Sequence, residues 1–209
     1  MPINIAYTRL LITLGTLGFV PHRWGSRWFN KNEWFRLRVY GFLEPFVRRD
    51  DWQQLRLTDP YPSDGYYSPG PQLAHELRSA GVWDASEMPY IPPLPPRAHR
   101  VLHDLRLLAV LDGLSDTELA TWWSEAQLIR YVRSRAHSRR FRVPDGIYRS
   151  DGGAWVAVEV WGRSLNDPVL HEKMRDVHQY TLSTSMRVVA VESGTATAFA
   201  LPRIPSTRS

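Results

Sequence analysis

Residues 89 to 96 read Pro-Tyr-Ile-Pro-Pro-Leu-Pro-Pro. Proline lacks an amide N–H and fixes φ, so neither a helix nor a sheet interior continues through such a run. The segment reads as a semi-rigid polyproline linker. It divides the chain into residues 1–88 and residues 97–203, followed by a short tail, 204–209. A chain of 209 residues is long enough for two small domains.

The first part opens with helical periodicity from Ile5 to Leu17 and again from His22 to Phe29. Asn30 or Asn32 can cap a third helix carrying Trp34, Phe35, Leu37, Arg38 and Leu43, with Pro45 placed to end it. Trp52 to Thr58 alternates like a strand, and a turn-rich run connects it to a second strand at Tyr66-Tyr67-Ser68. A helix from Gln72 to Ala80 closes at Gly81. Three helices, a two-stranded hairpin and a closing helix are the parts of a winged helix-turn-helix. In such a domain the third helix enters the major groove. Here it offers Lys31, Asn32, Arg36 and Arg38, while Trp34, Phe35 and Leu37 read as core. The alternative use of such a domain is protein contact or dimerisation.

The second part begins with an amphipathic helix from Arg97 to Leu111. A short strand is expected over Glu118 to Trp123, with Ser124-Glu125 capping a helix after it. Arg140 to Arg149 and Ala154 to Trp161 form a hairpin through Ser150-Asp151-Gly152-Gly153. A helix over Pro168 to Leu182 and strands at Met186 to Val191 and Thr197 to Leu201 follow. The fold class is therefore α+β, the second part being a mixed layer of one sheet and two helices.

Charge points towards nucleic acid. The net charge is +5, and Lys31 and Lys173 are the only lysines among 26 basic residues, the rest being arginine. Arginine grips phosphate and the guanine edge with a planar fork. Arg130, Arg133, Arg135, Arg139, Arg140 and Arg142 crowd one stretch, and Arg36, Arg38, Arg48 and Arg49 form a second group. Such clusters are the footprint of phosphate contacts, although a GC-rich genome also enriches arginine. The absence of cysteine excludes disulfides and thiolate metal sites. No apolar run reaches the length that spans a bilayer. Leu10 to Val20 reads as a core helix rather than a signal peptide, so the expected location is cytoplasmic.

Two carboxylates carry the possible chemistry. Asp145 lies in Val143-Pro144-Asp145-Gly146-Ile147, at a turn entering a strand. Glu159 lies inside the apolar strand Ala154-Trp155-Val156-Ala157-Val158-Glu159-Val160. If the two strands pair, both can face one edge and hold Mg or Mn, as in metal-dependent nucleases. For Asp145, turn chemistry is an equal alternative. Glu159 sits where a carboxylate is costly unless it is paired, ligated or open to a cleft. Two residues after Glu159, where such enzymes commonly carry lysine, stands Trp161. Lys173, on the following helix, can reach the strand ends, and solvation is its alternative. Glu125 is a further candidate, with helix capping as its alternative. Asp104 reads as solvated or salt-bridged, His171 and His178 as surface residues, and Tyr180 as core. No Gly-x-Ser-x-Gly elbow or P-loop supports nucleophilic or nucleotide chemistry.

His103-Asp104-Leu105, Trp123-Ser124-Glu125 with Leu128, Pro144-Asp145-Gly146, Val158-Glu159-Val160 and the stretch Lys173 to Tyr180 occur in this order. In this the chain resembles the replication-relaxation family of plasmids and integrative elements, which is similar to relaxases of the MobC type. The resemblance implies an N-terminal winged helix followed by a restriction-endonuclease-like domain similar to the PD-(D/E)xK nucleases. It implies a DNA-binding protein of a mobile element, acting in plasmid replication, mobilisation or their control. Asp145 and Glu159 would hold the metal with Glu125 near them, and Lys173 would supply the charge missing at Trp161. The expected partners are DNA and proteins of a replication, transfer or transcription complex. A metal-dependent nicking enzyme is one alternative, and a transcription-regulating or protein-interaction module is another.

Overall fold

The computed structural model of the chain describes residues 5–45, 65–73, 75, 98–133, 142–181 and 183–201. The protein is α+β and divides into two compact units, Met1–Leu108 and Ala109–Ser209. No helix among the described residues is long and apolar enough to cross a membrane.

The first unit begins with α1 (Ile5–Leu17), which buries Ala6, Leu10, Thr13 and Leu14 at helical spacing. Gly18 stops it in the left-handed region (φ 78), donating its N–H to Leu14 O at 2.9 Å. Strand β1 (Val20–Pro21) leads into α2 (His22–Trp28), and Asn30 then caps α3 (Lys31–Val39). The cap is reciprocal. The Asn30 side chain accepts from the N–H groups of Asn32 and Glu33, and the Glu33 carboxylate accepts from Asn30 N–H.

Strands β2 (Leu43–Pro45) and β3 (Tyr66–Pro69) complete a three-stranded antiparallel sheet in the order β1-β3-β2. Pro21 and Pro45 both fall on edge strands, where a missing N–H is tolerated. Helix α3 ends at Val39, earlier than the Pro45 expected to terminate it, because Gly41 turns the chain with φ 74. The strand expected at 52–58 lies outside the described residues. So does most of the helix expected from Gln72, of which 71–73 and 75 are helical.

Trp34 centres the core of this unit. Its ring stacks on Phe29 at 6.1 Å, meets Tyr67 edge-on at 5.5 Å, and its indole N–H donates to His22 Nδ1 at 2.8 Å. Leu10, Leu14, Leu37 and Leu43 surround it. Phe35, expected in this core, is instead 59% exposed. The buried stripe of α3 runs through Trp34 and Leu37, which turns Phe35 away.

Helix α4 (Ala98–Gly113) packs Leu105 and Leu108 against Phe19 and Tyr66. Asp104, expected to be solvated or salt-bridged, is buried and pairs with His103 Nδ1 at 3.0 Å.

In the second unit, helix α5 (Asp116–Ala120) takes Glu118 to Ala120, the first half of the stretch expected as a strand. Its Ser115 capping box, with Glu118 as the returning carboxylate, starts the helix there. Strand β4 is only Trp123–Ser124, and α6 (Glu125–Arg133) follows at once. Strands β5 (Gly146–Arg149) and β6 (Trp155–Trp161) form the expected hairpin. Helix α7 (Pro168–Tyr180) then crosses over to β7 (Ser185–Ala190), which is parallel to β6, and β8 (Ala196–Ala200) closes the edge. The sheet order is β4-β5-β6-β7-β8. Ile147 and Ala157 share a core with Leu128 of α6 and Leu170, Met174 and Val177 of α7. Those two helices therefore cover the sheet face onto which the odd-numbered residues of β5 and β6 project.

Candidate functional site

The β5–β6 register pairs Gly146 with Val158 and Ile147 with Ala157. Continued one step, it sets Asp145 opposite Glu159. Directly opposed residues of an antiparallel pair share a face, and here that face is the one covered by α7. Asp145 is buried, and its Oδ2 accepts the N–H of Val160 at 2.7 Å. Its backbone carbonyl accepts the N–H of Glu125 at 3.0 Å. The carboxylate thus adds a side-chain bond from the start of β5 to the backbone of β6. Gly146 is required beside it, because a methyl group there would lie 2.1 Å from the ring of Trp122.

Glu159 is buried in the middle of β6. Its partner comes from α7. Asp167 caps that helix by accepting the N–H of Val169 at 2.9 Å, and Pro168 sits in the first turn. Leu170, Met174 and Val177 form the buried stripe, and Lys173 lies on its flank. The Lys173 ammonium donates to Glu159 Oε1 at 2.7 Å and makes an ionic contact of 2.7 Å with Oε2. Both side chains are largely removed from water, 14% and 4% exposed. Trp161, two residues after Glu159, packs half-buried against the core shared with α7 and donates its indole N–H to Ser164 O at 3.3 Å.

Carboxylate oxygens suit a hard divalent cation, and Asp145 and Glu159 are the pair that could hold one. A cation held there would share the Glu159 carboxylate with the Lys173 ammonium. Among the described residues no cluster of three or more His, Asp or Glu side chains forms a fuller cage. Glu125 comes near through its backbone, while its side chain is exposed at the start of α6. His171 is exposed and His178 half-buried on α7, and of Tyr180 only the helical backbone is described.

The basic residues divide. Lys31, Asn32, Arg36 and Arg38 are all exposed on α3. The Arg38 guanidinium rests over the Tyr67 ring at 5.0 Å. In the second stretch, Arg142 is tied to α7. Its N–H donates to Asp176 Oδ2 at 3.0 Å, and its guanidinium pairs with Glu172 at 3.3 Å. Arg130 and Arg133 lie on α6, whose backbone alone is described at those positions, and Arg135, Arg139 and Arg140, like Arg48 and Arg49, fall outside the described residues.

Two features had no sequence counterpart. A small apolar pocket of about 60 Å³ opens between Trp123, Leu128, Tyr131, Ile147, Trp155 and Thr181, with Trp123 set edge-on to Tyr131 at 5.4 Å. On β5, Tyr148 is buried, and that burial raises its pKa above the ordinary tyrosine value. The negative charge of Glu118 adds to the rise, and the charge and hydrogen bond of Arg187 oppose it. The apolar spacing could mark these residues as core, but not the contacts they make there. Compared with family models, curated proteins and solved structures, the chain matches none.

Proposed function

We propose that this chain is a DNA-binding protein of a mobile genetic element, with an N-terminal winged helix-turn-helix and a second domain similar to PD-(D/E)xK nucleases. The observation that carries DNA binding is the division of α3. Trp34 and Leu37 anchor the helix in the core, while Lys31, Asn32, Arg36 and Arg38 are exposed along it. Helices α1 to α3 followed by antiparallel β2 and β3 are the parts that a winged helix needs. A Pro-Asp-Gly turn, a glutamate on the neighbouring strand and a lysine on the next helix support the nuclease-like reading of the second domain. The mobile-element setting rests on the motif resemblance.

Duplex binding measured by fluorescence anisotropy across a salt series tests this reading. Affinity should fall steeply with salt, and Lys31→Ala with Arg38→Ala should weaken binding and flatten the slope by about one unit for each phosphate contact removed. Failure to bind duplex DNA at low salt, or affinity indifferent to salt, overturns it.

One observation favours a second reading, a Mg- or Mn-dependent nicking enzyme. Lys173 brings to Glu159 the positive charge absent at Trp161. In that reading Asp145 and Glu159 hold the cation, which would supply activated water and charge stabilisation at phosphate. Lys173 would neutralise and orient Glu159. Supercoiled plasmid incubated with Mg²⁺ or Mn²⁺ decides: nicking abolished by Glu159→Ala establishes the activity, and intact plasmid rejects it.

A further inference from the structure

Asn32, Phe35, Arg36 and Val39 follow one another along α3 at spacings of three, one and three residues. In an α-helix that spacing places them on a single face, opposite the stripe made by Trp34 and Leu37. One side of this outward face is apolar, with Phe35 59% and Val39 60% exposed, and Asn32 and Arg36 make the other. Large apolar side chains held in water beside Asn32 and Arg36 call for an occupant that is apolar at two points and polar around them. The flanking charges select its sign, because Lys31, Arg36 and Arg38 present only positive charge along the exposed side of the helix, and Glu33, its one acidic residue, is engaged in the Asn30 cap.

We infer that the outward face of α3 reads thymine-containing duplex DNA, Phe35 and Val39 packing against thymine methyl groups beside polar base contacts from Asn32 and Arg36. The inference rests on the DNA-binding reading of α3 and deepens it. The thymine C5-methyl is the one apolar feature that the base edges offer in the major groove. Asparagine matches the adenine edge and arginine the guanine edge. Phe35, Val39, Asn32 and Arg36 together therefore call for a site of mixed composition in which thymines adjoin the adenine or guanine that Asn32 and Arg36 contact. Lys31 and Arg38, together on one flank of the same face, are placed for phosphates rather than bases.

The test starts from duplexes selected by the full-length protein from a random library. Each thymine of the selected site is then replaced in turn by uracil, which pairs identically and lacks only the methyl. Wild-type affinity should fall about fourfold at each thymine whose methyl is buried. Phe35→Ala or Val39→Ala should bind the thymine site more weakly and lose sensitivity to the uracil at its own position. Both residues are exposed, so circular dichroism and unfolding midpoints should remain those of the wild type. Equal wild-type affinity for thymine and uracil sites overturns the inference and leaves the DNA-binding reading standing. Failure to select any duplex, with Phe35→Ala changing the oligomeric state, overturns both and makes the face a protein contact.

Discussion

A single ammonium, that of Lys173, lies 2.7 Å from both carboxylate oxygens of Glu159, and neither side chain has much access to water. The pair joins α7 to the middle of β6. Its charges are balanced within the fold, so its energetic weight lies in what happens when one partner is removed.

Lys173→Met should destabilise the protein by about 3–5 kcal/mol, because it takes the lysine from a buried carboxylate. Lys173→Met combined with Glu159→Leu should recover most of that loss, since two apolar groups of similar size need no charge compensation. Urea unfolding of the two variants checks this. A single variant as stable as the wild type would show that the pair contributes nothing to holding α7 on the sheet.

Gly25→Ala should destabilise the first unit although alanine favours helix by about 0.5–1 kcal/mol. The added methyl would lie 2.1 Å from the ring of Trp34. That ring cannot swing away without losing its bond to His22 and its contacts with Phe29 and Tyr67. Overpacking of this kind costs about 1–3 kcal/mol. A thermal unfolding midpoint below that of the wild type is the expected result.

Asn30→Ala removes the acceptor shared by the N–H groups of Asn32 and Glu33. A loss of about 1 kcal/mol is expected. Because the cap sets where α3 begins, duplex affinity should fall as well. Asn30→Asp should restore both, which separates the cap from any direct contact by the asparagine amide.

Tyr148 should give the protein a stability loss in alkali. Its folded pKa is raised by burial, so the unfolded chain releases the phenolic proton first, from about pH 10 upward. The stabilisation is complete below that value and declines as pH rises through the folded pKa. Tyr148→Phe should show a smaller decline between pH 9 and 11 in urea titrations. In an absorbance titration of the nine tyrosines, the variant should lack one late-ionising group.

Local rules carried much of the architecture. Apolar spacing gave α1, α2 and α7 to within a few residues of their ends and the start of α3, and the Ser150 to Gly153 turn gave the hairpin that bears Glu159. They misplaced what depends on competing local signals. Over Glu118 to Ala120 a strand is expected, and the reciprocal Ser115 cap makes a helix. At Phe35 an aromatic residue was assigned to the core, and the buried stripe through Trp34 and Leu37 left no room for it there.

The sequence by itself determined that a carboxylate lies inside an apolar strand and that another opens the strand before it. That follows from chain-local spacing, and the β5–β6 register, continued one step, sets Asp145 opposite Glu159. Only tertiary structure decided what neutralises Glu159. Lys173 is 14 residues away along the chain and reaches the carboxylate because the crossover from β6 to parallel β7 lays α7 over that face of the sheet. The same packing committed Trp161 to the core, so the positive charge comes from the helix instead of the strand. Spacing along one strand records which residues share a face, whereas the charge that meets them depends on where a remote element docks.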